Sequence, residues 1–265
     1  MNFLALTLAY FKHRELQILE ALFMVYVLLS FLRVAGYVAT QFRLGQLIHS
    51  ENPPVPFVIP DVGGWLLFLG VMILLYLQQP LYMVLVVMGI VLLMTLNGRT
   101  AVEQFGLGRM PVSRAIAWSV LVCGAVIFIE VPLSTVVEKI LNAIHMPHPE
   151  QQSVEIFKQL NQPREIFGFM IQAVLISPLI EELFFRGFLL TFLKKYTSTL
   201  VAILLSAGVF ALAHANLDSA IPLWFLGIVL GIAYQHTGSL LLPIGIHGCF
   251  NLISGLNLLL EKGNG

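Results

Sequence analysis

Six polar or ionisable side chains, Glu181, Glu182, Arg186, His214, His247 and Asn251, lie inside stretches so apolar that their surroundings are lipid or the packed interior of a membrane bundle. An ionised group at the bilayer centre costs roughly 2.5–3.5 kcal/mol even on the lenient insertion scale, so a chain that places several in its spans has a use for them. Carboxylate, imidazole and amide groups brought together from separate spans are the components of water activation. A carboxylate beside a histidine takes a proton from water, and two further donors steady the oxyanion formed when that water attacks a carbonyl. The reaction implied is hydrolysis of a peptide bond.

Spacing divides the labour within each group. Glu182 and Arg186 are four residues apart and share a helix face, carboxylate on the N-terminal side, which is the better orientation for an intrahelical ion pair. Glu181 is turned by about 100° from its neighbour and is left as the free acid. Pro178 deprives a carbonyl in the preceding turn of its donor, so the helix is expected to open near Glu181. The competing reading of this group is an interhelical charge cluster that only locks the bundle. Phe210 precedes His214 by one turn and can shield one face of the imidazole, although a histidine at a helix end is also an ordinary cap. His247 and Asn251 are one turn apart and can donate to a common oxygen, or can simply hold two helices together. Gly245 and Gly248 beside them permit close helix approach, as glycines do in many membrane seams.

The elements that must deliver these groups follow from composition and hydropathy. The chain has 265 residues, 58% hydrophobic and 11% charged, against about 25% charged in soluble domains. It reads as an all-α, polytopic membrane helix bundle, integral and multi-pass, in the cytoplasmic membrane if the host is bacterial. Lys+Arg 14 balance Asp+Glu 14, without the basic excess that nucleic-acid binding needs. Cys123 and Cys249 lie in apolar runs without metal-type spacing and read as small core residues.

About eight transmembrane helices are expected, with the reactive set in the C-terminal four. The first fifteen residues read as an interfacial segment, because their positive charges follow the apolar part and a signal peptide has the reverse order. Spans are predicted over 16–40, over two halves of 63–96 broken at Gln78-Gln79-Pro80, and over 115–137, which holds Glu130 and Pro132. The stretch 138–165 is the longest polar segment. It divides an N-terminal region, 1–165, from a catalytic core, 166–265, whose spans are 166–193, 199–213, 221–235 and 240–260. Arg99, Arg109, Arg114, Lys194 and Lys195 fall on one side of this arrangement, which places that side in the cytoplasm and both termini outside.

Glu181-Glu182 with Arg186, Phe210 with His214, and His247 with Asn251, in that order on successive apolar spans, resemble the motifs of the CPBP family of intramembrane proteases, which includes the CAAX prenyl endopeptidase. The resemblance covers about 166–260. It implies that Glu181 and His214 activate water, that His247 and Asn251 stabilise the oxyanion, and that Glu182, Arg186 and Phe210 support the site. The family has been described both as metalloproteases and as glutamate-dependent. No His-Glu-x-x-His pattern occurs here, so the metal-free reading is favoured. In the other, Glu181, His214 and His247 would be the three ligands of a divalent metal such as zinc. The expected partners are the bilayer and a peptide or protein substrate at the membrane, lipid-modified in one branch of the family. Two other classes of function fit parts of the pattern. One is a proton-coupled transporter with a relay through Glu130, Glu181, Glu182 and the histidines. The other is a non-catalytic immunity or scaffold protein.

Overall fold

The computed structural model describes residues 70, 88–89, 100–146 and 150–263. The predicted spans over 16–40 and 63–96 lie outside the described residues, apart from positions 70, 88 and 89. From position 100 onward the described residues form seven helices and no strand: α1 (Ala101–Gln104), α2 (Val112–Ala143), α3 (Gln152–Gln159), α4 (Pro163–Leu193), α5 (Thr199–Ala213), α6 (Leu217–Thr237) and α7 (Leu241–Gly263). The architecture is all-helical, as expected.

Of these, α2, α4, α6 and α7 are long and apolar enough to cross a bilayer. The 15 residues of α5 reach about 22 Å at 1.5 Å per residue, short of the roughly 30 Å hydrocarbon core. The described residues therefore do not reach the expected total of about eight spans. The described residues of the polar stretch 138–165 are largely helical. Its first part continues α2, because Val137 and Leu141 extend the inward stripe of that helix. Within it α3 is anchored by Phe157, which is fully buried with its ring 5.2 Å from Phe169 at the start of α4.

Along α2 the buried residues Ala115, Ser119, Cys123, Val126, Glu130, Val137 and Leu141 recur at steps of three, four and seven. That spacing makes one interior stripe, while Ile116, Val120, Leu121, Phe128 and Val131 remain exposed on the other faces, as a lipid-facing surface requires. The stripe packs on α6 and α7. Ser119 reaches the carbonyl of Leu242, and Gly245 makes room for it, since a Cβ there would lie 2.1 Å from the Ser119 hydroxyl oxygen.

The helix that carries the glutamates is not regular. Gln172–Ile176 and Leu183–Leu190 are π-helical segments within α4, and such wide turns recur at functional sites. In the first, the Ser177 N–H bonds back to the carbonyl of Gln172. One residue further, the same five-residue register would pair Pro178 with Ala173, and proline has no N–H to give. The opening predicted from Pro178 is thus present as a wide turn.

Candidate active site

Glu182 and Arg186 form the pair that their spacing predicts. Arg186 Nη1 donates to Glu182 Oε1 at 2.6 Å, with both side chains buried. The second guanidinium nitrogen donates to the carbonyl of Gly227 on α6 at 3.1 Å. The planar group also lies over the ring of Phe210, 4.7 Å from its centroid. Arginine suits this place because its rigid fork serves two acceptors while its face stacks on an aromatic ring.

A partner that spacing could not reveal comes from α7. His247 Nδ1 is 2.9 Å from the same oxygen of Glu182. A carboxylate paired with arginine only accepts, so Nδ1 carries the proton and Nε2 is the atom left for chemistry. That Nε2 points to Glu181, 3.9 Å from Oε2. Glu181 is the more open of the two acids, 14% exposed against 0% for Glu182. It makes no hydrogen bond among the described residues, and its Oε2 is buried without one. The sequence distinction between a held and a free glutamate is therefore visible in the geometry.

His214 terminates α5 as its C-cap, and its Nδ1 lies 2.8 Å from the carbonyl of Phe210. A carbonyl cannot donate, so Nδ1 holds the proton and the lone pair of Nε2 is free to accept one. Ala215 next to it has φ 48, a left-handed conformation that turns the chain into α6, where the Asn216 side chain accepts from Ser219. Phe210 does more than shield one face of His214. Its ring stands edge-on to His214 at 4.8 Å, to His247 at 5.6 Å and to Phe185 at 5.2 Å. One aromatic ring thus spaces both imidazoles and the guanidinium.

Asn251, one turn beyond His247, donates from Nδ2 to the carbonyl of Ala173 at 2.8 Å. This is the carbonyl that Pro178 cannot serve in the wide turn, so the amide of α7 completes the backbone of α4 and retains a second N–H. Close approach is possible because Gly248 faces the carbonyl of Val174, where a Cβ would come within 2.7 Å. Two further carbonyls of the second wide turn are satisfied by hydroxyls: Phe185 O by Ser206 and Arg186 O by Thr191. Sequence reading assigned no role to either hydroxyl, because a π-turn is not announced by residue type.

Glu130 lies apart from this cluster. It is buried in the α2 stripe, and Arg186 is paired with Glu182. Among the described residues no three His, Cys, Asp or Glu side chains gather closely enough to hold a metal ion. Glu181, His214 and His247 are thus not drawn together as a three-ligand group among the described residues.

Residues 163–253, which contain every contact of this cluster, match the family described as type II CAAX prenyl endopeptidase Rce1-like. This match agrees with the resemblance read from the three motifs. The chain is also 28% identical over 225 residues to the membrane-embedded CAAX protease MroQ of Staphylococcus aureus (strain USA300), covering 82% of this chain and 84% of that protein. No solved structure matches. The chain is an integral, multi-pass membrane protein, and the residues that match the family model lie in α4 to α7.

Proposed function

We propose that the chain is a membrane-embedded endopeptidase in which Glu181 and His214 activate a water molecule against a peptide carbonyl. The observation that carries this reading is the contrast between the two adjacent acids. Glu182 is held by Arg186 and His247, whereas Glu181 has no hydrogen-bond partner among the described residues and is the more accessible. An acid fixed in a helix, with an open face and a free imidazole Nε2 in the same core, is equipped to act as general base.

In the proposed step the water oxygen bonds to the scissile carbonyl carbon while Glu181 takes a water proton, with Nε2 of His214 as the second acceptor. The carbonyl oxygen becomes an oxyanion. His247, its Nδ1–H fixed on Glu182, offers Nε2–H to that oxygen when the ring is protonated, and the free N–H of Asn251 is the second donor. Collapse breaks the C–N bond, the amine leaves with the proton returned from Glu181, and a carboxylate is released. The substrate class that fits is a membrane-associated peptide. MroQ is named a CAAX protease, so a carboxyl-terminal Cys-a-a-X peptide, with and without a prenyl group on its cysteine, is the first substrate to test.

The test uses the purified full chain in proteoliposomes with a panel of fluorogenic peptides that includes both forms. Glu181→Gln is expected to abolish cleavage of the peptide that the wild type cleaves fastest, with an unchanged thermal midpoint. Wild-type turnover by that variant overturns the mechanism.

A further inference from the structure

Ser177 is a half-buried residue of α4 whose hydroxyl has no hydrogen-bond partner among the described residues. Other hydroxyls on the packed helices are used internally: Ser119 donates to Leu242 O, Thr191 to Arg186 O and Ser206 to Phe185 O. The usual outlet for a helical serine is the carbonyl four residues back. For Ser177 that carbonyl belongs to Ala173, which already accepts from Asn251. A half-buried hydroxyl in an apolar bundle that makes no hydrogen bond among the described residues is available to donate to a ligand that reaches this face.

Its position is set by three neighbouring contacts. Along α4, Ser177 lies four residues after Ala173 and four before Glu181, on the face that both of those residues present to α7. There Ala173 meets Asn251 and Glu181 approaches His247, so Ser177 falls between the two members of the oxyanion pair. The contact of Ser206 with Phe185 O fixes the antiparallel register of α5 against α4. Eight residues on, α5 reaches His214, and eight residues back, α4 reaches Ser177, which places both at about the same depth. The hydroxyl is therefore level with the second base and flanked by the first.

We propose that Ser177 is a further catalytic residue, whose hydroxyl donates a hydrogen bond to the scissile carbonyl oxygen as it acquires charge, beside His247 and Asn251. This inference rests on the hydrolytic reading above. The π-segment ending at Ile176 immediately precedes Ser177, and the carbonyl four residues back already accepts from Asn251.

The test measures kcat and KM of Ser177→Ala, Ser177→Cys and Ser177→Thr with the peptide that the wild type cleaves fastest, together with thermal midpoints. Loss of one well-placed oxyanion donor costs about 10²–10³-fold in kcat in favourable cases, and roughly tenfold or more is expected for a single hydroxyl among three donors. Ser177→Ala and Ser177→Cys should lose this factor in kcat with KM nearly unchanged, and Ser177→Thr, which keeps the hydroxyl, should retain most of the rate. A purely structural serine would change the midpoint or KM instead. Wild-type kcat in Ser177→Ala overturns the inference, as does a threonine variant that folds normally and is as slow as the alanine one. The two proposals fail separately: an inactive Glu181→Gln with a fully active Ser177→Ala leaves the base and removes the serine, whereas an active Glu181→Gln removes the base.

Discussion

Removing Arg186, and then removing its partner as well, separates the stability of the fold from its chemistry. Arg186 is 1% exposed and Glu182 0%, so Arg186→Met leaves a fully buried carboxylate with His247 as its one remaining hydrogen-bond partner among the described residues. Breaking a buried pair from one side costs about 3–5 kcal/mol. The bond to Gly227 O and the stacking over Phe210 are lost at the same time. A destabilisation of about 3–5 kcal/mol is expected for the single variant. Replacing both members by apolar groups of similar volume is often neutral or stabilising, so Glu182→Leu combined with Arg186→Met should recover most of that loss.

Cleavage should not recover with it. In the double variant His247 Nδ1 has lost its acceptor, and neither the tautomer nor the ring orientation is set. Loss of a group that orients a functional histidine costs about 10–100-fold. Reversible unfolding in mixed micelles reports the stabilities, and turnover of the fluorogenic peptide reports the chemistry. A double variant as unstable as Arg186→Met would show that the charge pair is not the unit of stability. One that cleaves at the wild-type rate would refute the assignment of Glu182 as the residue that orients His247.

Gly248→Ala places a Cβ 2.7 Å from the carbonyl of Val174, a clash with backbone that should part α4 from α7. It is expected to cost about 1–3 kcal/mol and to lower kcat sharply; unchanged stability and turnover would contradict the close approach. Ala215→Gly relieves a residue held at φ 48, and should stabilise the chain by about 0.5–1 kcal/mol, read as a raised unfolding midpoint; a lowered one would count against strain at this turn. Burial lowers the pKa of Lys194, just beyond the end of α4, from its usual 10.5. The folded state therefore binds this proton less tightly than the unfolded state. The resulting cost is full below the folded value and fades as pH rises toward the unfolded one. The wild type should gain stability relative to Lys194→Met as pH rises toward the usual lysine value of 10.5; a pH-independent difference would remove the burial effect.

Much of this protein is legible from residue type and spacing alone. Low charge and recurring apolar runs require helices in a membrane, because only internally satisfied backbone survives there. Four-residue spacing pairs Glu182 with Arg186 and isolates Glu181, since helical phase is a local property of the chain. Pro178 announces a break in the ladder for the same reason. The end of α5 at His214 coincides with the predicted end of the 199–213 span.

Spacing along one helix carries no information about which atom of another helix it meets. That His247 shares the Glu182 oxygen with Arg186, that Asn251 completes the carbonyl orphaned by Pro178, and that Phe210 separates both imidazoles all depend on interhelical register. Register is decided by glycine contacts such as Gly248 against Val174 and by wide turns in α4. Residue types therefore determine a membrane bundle with one held and one free acid. Only the packing of α4 against α5, α6 and α7 decides which nitrogen faces that free acid, because donors and acceptors pair across distances that sequence order does not encode.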